Sequence, residues 1–148
     1  MKISDRYPIV VTDHKIACRD FWQRHFGLDV LFDSDWFVLL GNEQQGSVVA
    51  FMSPDHPSAP PGPECFGGQG VCLEIEVDDI VQTHQHFTRG GGPVAYPLTR
   101  EPFGQHRFGL RDPSGLWVDV VEQIAPQDGY WDRYMPVSYT HLTLPTSS

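Results

Sequence analysis

The chain has 148 residues, enough to bury a core in one domain, with room for two similar halves. Hydrophobic residues make up 40% and charged residues 20%, an ordinary balance for a soluble globular protein. The net charge of −9, from 10 Lys+Arg against 19 Asp+Glu, argues against a nucleic-acid-binding surface and against attraction to an anionic membrane. No apolar run approaches the roughly 18–20 residues that span a bilayer, and Met1–Asp5 lacks the apolar stretch of a signal peptide. Cys18, Cys65 and Cys72 form an odd set without paired spacing. Reduced thiols and a cytoplasmic location are therefore expected.

Tyr7–Val11 reads as a short strand. Thr12 or Asp13 is expected to cap a helix running to about Phe26, because a short side-chain oxygen accepts from the free amides of a first turn. Ile16, Ala17, Phe21, Trp22 and Phe26 give it helical apolar spacing, and Gly27 is its stop. Strands are expected over Leu28–Asp33, Trp36–Leu40 and Ser47–Met52. Between Pro54 and Gly70 stand five prolines and four glycines, a linker composition. Val71–Val77 then alternates strictly, as a half-buried strand does. Asp78 and Asp79 can cap a helix with Ile80, His84 and Phe87 on one face, ended by Gly90–Gly92. Strands follow at Val94–Leu98, Arg107–Arg111 and Leu116–Glu122, the last two joined by the turn Asp112-Pro113-Ser114-Gly115.

The order strand, helix, strand, strand, strand thus occurs twice, with the acidic caps about 65 residues apart. We expect an α+β domain over residues 1–125. Its two tandem βαβββ modules, about 5–53 and 70–124, would have curved mixed sheets enclosing a cleft. Periodicity fades beyond Pro126, leaving 126–148 as a tail, and from about Val137 the sequence resembles translated adapter read-through.

Three stretches carry a family resemblance. Phe21-Trp22-Gln23-Arg24-His25-Phe26-Gly27-Leu28 resembles the helix end, and Phe108 through Val121 the closing hairpin, of the vicinal oxygen chelate superfamily. Gly70–Asp79 is similar to the opening of its second module. The superfamily includes glyoxalase I, extradiol dioxygenases, and fosfomycin- and bleomycin-resistance proteins. The resemblance implies a divalent metal held by His and Glu from the first and last strand of each module. Here those positions fall near Arg6 or Tyr7, within Val49–Phe51, on Cys72 and on Asp119. The usual ligand set is missing, and Cys72 and Asp119 are the fallback donors, too few for a tight site alone.

Alternation sends Cys72, Glu74 and Glu76 to one face of the opening strand, and Trp117, Asp119 and Val121 to one face of the closing strand. Arg107, Gly109 and Arg111 share a face whose identity the sequence leaves open. His106 lies in a loop that borders the cavity in the superfamily. The expected ligand-binding residues are Trp36, Phe51, Glu74, Glu76, His106, Trp117 and Asp119. Carboxylates beside aromatic rings suit a planar or cationic organic guest. The first expectation is a homodimeric, metal-free protein that sequesters a bleomycin-like drug and confers antibiotic resistance, with no catalytic residue. The alternative is a metal-dependent lyase, isomerase or dioxygenase on Cys72 and Asp119, with His106 as an acid–base or substrate contact.

Overall fold

The computed structural model describes residues 1–136. The expectation of non-native sequence from about residue 137 lies outside the described residues. The elements are β1 (Ile9–Val11), α1 (Lys15–Phe26), β2 (Asp29–Asp33), β3 (Phe37–Asn42), β4 (Gly46–Met52), β5 (Cys72–Glu76), α2 (Ile80–Arg89), β6 (Tyr96–Glu101), β7 (Gln105–Arg111), β8 (Trp117–Gln123) and a 3-10 turn at Tyr130–Arg133. They form two four-stranded sheets, ordered β1-β4-β3-β2 and β5-β8-β7-β6. In each, the strand before the helix pairs in parallel with the last strand of its module. The expected duplicated βαβββ modules are present.

Backbone contacts divide the chain into two compact units. The first comprises Met1–Val71 with Arg111–Leu116, and the second comprises Cys72–Leu110 with the chain from Trp117 on.

In the first unit α1 packs on β3 and β4. Trp22, Val38, Leu40, Val49, Ala50 and Phe51 are fully buried. The start of α1 differs from expectation. Its cap is His14, with no side-chain bond to the helix. Thr12 instead extends the β1–β4 ladder, its amide donating to the Met52 carbonyl at 2.9 Å, while its hydroxyl oxygen accepts from the His14 amide. The strand has claimed the residue that would have capped the helix. At the other end Gly27 takes φ 64°, which a side chain would resist, and its amide closes on the Gln23 carbonyl. The Asp112–Gly115 turn closes on a 2.9 Å bond from the Gly115 amide to the Asp112 carbonyl. The buried Asp112 carboxylate accepts from Trp22 Nε1 at 3.0 Å and from the Ser114 and Leu116 amides at 2.8 and 3.1 Å.

In the second unit α2 packs on β8. Asp79 caps it by accepting from the Gln82 amide, and Glu122 accepts from the Ile80 amide, so two otherwise orphaned donors are satisfied. Phe87 and His84 meet Phe108 at ring-centroid distances of 5.5 and 5.0 Å. Residues 127–136 of the segment after Pro126, set apart for its lack of periodicity, include a 3-10 turn. Its aromatic residues anchor it where periodic burial does not, and Trp131 Nε1 donates to the Phe103 carbonyl at 2.9 Å. No helix among the described residues is long and apolar enough to cross a membrane.

Candidate functional site

Strand register in the second sheet sets which side chains meet. Cys72 pairs with Trp117, Glu74 with Asp119 and Glu76 with Val121. Paired residues share a face, so these six lie together. Thr99 pairs with Arg107 and Glu101 with Gln105. Arg107 Nη1 donates to Asp119 Oδ2 at 3.2 Å, which puts β6 and β7 residues of this parity on the same face and settles the orientation that the sequence left open. Leu73, Ile75, Phe108, Val118 and Val120 alternate to the α2 side.

Arg107 is the hub. Its Nε and Nη2 each reach Glu101 Oε2 at 2.8 Å, and Tyr96 donates its hydroxyl to the same oxygen at 2.8 Å. Its guanidinium carbon sits 5.2 Å from the Tyr96 ring centre and 5.3 Å from that of Phe103. Burial disfavours the cation, but Glu101 and Asp119 outweigh it and hold Arg107 above the ordinary arginine range. Burial likewise pushes the Glu101 carboxyl up, while hydrogen bonds from Tyr96 and Arg107 pull it below the ordinary value.

Asp119, which is buried, has both oxygens occupied: Trp117 Nε1 donates to Oδ1 at 2.8 Å and Arg107 to Oδ2. The Trp117 indole lies against Gly109, where an added Cβ would stand 2.3 Å from Cζ2. A glycine on β7 is what lets the indole lie flat on the sheet. Glu74 and Glu76 are exposed. Glu74 receives one long bond, from Gln105 Nε2 at 3.4 Å.

The other expected site residues are not on this strand face of the second sheet. His106 pairs with Arg100 and alternates with Phe108 to the α2 side, away from Glu74, Trp117 and Asp119. Burial first, and Arg100 second, lower its affinity for a proton. Phe51 belongs to the first unit and is fully buried, so it is a core residue and not a ligand contact. Trp36 is in the first unit too, half-buried against Phe37 and His56. Sequence reading missed Glu101, Tyr96 and Phe103. The turn signal Pro102 with Gly104 could have placed Phe103 on a hairpin. The bulge between Tyr96 and Thr99 hid the parity of β6.

The donor set does not fit a divalent metal. Asp119 is committed to Trp117 and Arg107, which leaves neither of its oxygens free to ligate an ion. The Cys72 thiol is pushed up, by burial first and then by Asp119 and Glu74, which opposes the thiolate a metal requires. Among the described residues no three His, Cys, Asp or Glu side chains converge as a metal-binding group. What the face can do is hold a cation beside aromatic rings.

Residues 5–120 match the family model described as the Glyoxalase/Bleomycin resistance protein/Dioxygenase superfamily. Among solved structures the chain is similar to a glyoxalase/bleomycin resistance protein/dioxygenase from Nocardioides, at 15% identity and TM-score 0.68, over 87% of each chain. It is also similar to lactoylglutathione lyase from Agrobacterium tumefaciens, at 22% identity and TM-score 0.63, over 82% of this chain and 95% of that one. TioX from Micromonospora sp. ML1 matches at 19% identity and TM-score 0.64, over 82% of this chain and 100% of that one. At these identities the likeness is one of fold. No curated protein sequence matches the chain.

Proposed function

Since the chain belongs to the glyoxalase/bleomycin resistance protein/dioxygenase superfamily, we propose that it binds a planar, cationic organic molecule, with a bleomycin-like drug as the first candidate. Binding takes place on the acidic face of the second sheet, through side chains and without a protein-held metal. One observation carries the reading. Glu74 and Asp119 stand directly opposite each other on adjacent strands, a repulsive arrangement unless each is compensated. Asp119 has Arg107; among the described residues Glu74 has only the long bond from the Gln105 amide. Glu76, exposed on the same strand face, adds a second carboxylate without a resident cation among the described residues. Glu74 and Glu76 together supply a place for one more positive charge on the strand face they share with Trp117. Sequestration on such a face needs no catalytic residue and suits a cytoplasmic resistance protein.

Calorimetric titration with metal-free bleomycin tests this. Saturable heat at micromolar protein is expected, with affinity about tenfold weaker in Glu74→Gln/Glu76→Gln. Absence of heat would remove the drug assignment. The working unit is proposed to be a homodimer, a reading supported by Leu31 and Phe32, which are 42% and 56% exposed on the edge strand β2. Sedimentation giving a monomer at micromolar concentration would reject it.

A further inference from the structure

We infer that the segment following β8 builds an aromatic wall onto this site, and that the wall takes a flat, delocalised cation. The inference rests on the binding reading above and names which part of the ligand is recognised, and by what.

Three of its rings, Tyr130, Trp131 and Tyr134, lie after the part of the chain that matches the family model, which ends at residue 120. The chain after β8 follows the β6–β7 turn closely: the Ile124 amide donates to the Gly104 carbonyl at 2.9 Å and the Gln127 amide to the Pro102 carbonyl at 2.8 Å. Trp131 Nε1 then donates to the Phe103 carbonyl, fixing the turn from a third point. Four rings gather there. Tyr130 stands 6.3 Å from Phe103, 5.3 Å from Trp131 and 5.4 Å from Tyr134. Phe103 is the ring that faces the Arg107 guanidinium, so the wall is continuous with the charged hub. The Tyr130 hydroxyl is held up by burial, then by Tyr134, and also by the Glu101 carboxylate, so the wall lies within the field of the site's acids.

Two features point to a flat cation as the occupant. Aromatic faces here already stack on planar guanidinium groups, Arg107 over Tyr96 and Phe103, and Arg133 over Tyr134 at 5.7 Å. Tyr134 is also 58% exposed, leaving ring surface for a guest. The adjoining carboxylates complement a positive charge but attract any cation; the rings favour one whose charge is spread over a plane.

The experiment compares two probes on the full chain: proflavine, a flat aromatic cation, and spermidine, a flexible cation without a ring. Tyr134→Ser alters an exposed residue, and Phe103→Leu keeps apolar bulk without the ring. The double variant is expected to bind proflavine about tenfold more weakly and spermidine within about twofold of wild type. Equal loss for both probes, with a lowered melting temperature, would reduce the wall to a structural role and overturn the inference. Unchanged proflavine affinity would overturn it as well. Wild-type protein that binds spermidine but not proflavine would leave a cation site standing and sink the wall. Binding of neither probe would overturn both readings.

Discussion

The two modules share an element order and a sheet topology but furnish corresponding strands in opposite ways. In the first, β1 and β4 pair through Ile9, Val10 and Val11 against Ala50, Phe51 and Met52, with no charged side chain among them. In the second, β5 and β8 pair Cys72, Glu74 and Glu76 against Trp117, Asp119 and Val121. The first unit's buried carboxylate, Asp112, accepts only from neutral donors among its hydrogen bonds, and serves a tryptophan of α1 and its own turn. The second unit's buried carboxylate, Asp119, is paired with a guanidinium on an acidic sheet face. One copy of the fold has been spent on packing and the other carries the polar chemistry.

Variants that break this contrast should differ in what they cost. Asp112→Ala should have the largest effect, about 3 kcal/mol of stability in urea denaturation, because it strands a buried indole N–H and two amides. An effect below about 1 kcal/mol would mean that the carboxylate does not organise the first unit. Asp119→Ala should cost about 2 kcal/mol, since Trp117 loses its acceptor and Arg107 one of two counter-charges, while Asp119→Asn should cost less. Equal losses for Ala and Asn would show that charge rather than hydrogen bonding dominates there. Glu74→Gln should leave stability within about 0.5 kcal/mol, with any change a gain, because it removes a like charge opposite Asp119. A clear loss on chemical denaturation would reveal a compensating partner for Glu74.

The smallest effect is one of pH. The folded Glu101 carboxyl lies below its ordinary value of 4.5, so its contribution is present above that pH and is lost as pH falls through the lower folded value. Glu101→Gln should therefore flatten the acid limb of the stability curve below about pH 4.5 relative to wild type. An unchanged acid limb would indicate that Arg107 does not hold this carboxylate.

The sequence made the duplicated modules legible because period-2 alternation in Cys72–Glu76 and the turn chemistry of Asp112–Gly115 are local signals. The parity of Glu74, Trp117 and Asp119 followed from alternation alone. Less legible was anything set by pairing between strands. Arg107 could be assigned to a face only once its contact with Asp119 was known. The superfamily resemblance puts His106 in a loop bordering the cavity, but β7 begins at Gln105 and alternation turns it toward α2. Phe51 looked like a guest-facing ring, yet Val49 through Met52 are all buried, so β4 has no open face at that point. Residues 127–136 carry no period because they are held by a few ring contacts.

The most direct test of a side-chain rather than a metal-mediated site is equilibrium binding of bleomycin to chelator-treated protein, measured with and without added zinc or manganese. The same micromolar affinity is expected in both conditions, weakened in Glu74→Gln/Glu76→Gln. Binding that appears only when the ion is restored, and is lost in Cys72→Ala/Asp119→Ala, would contradict it.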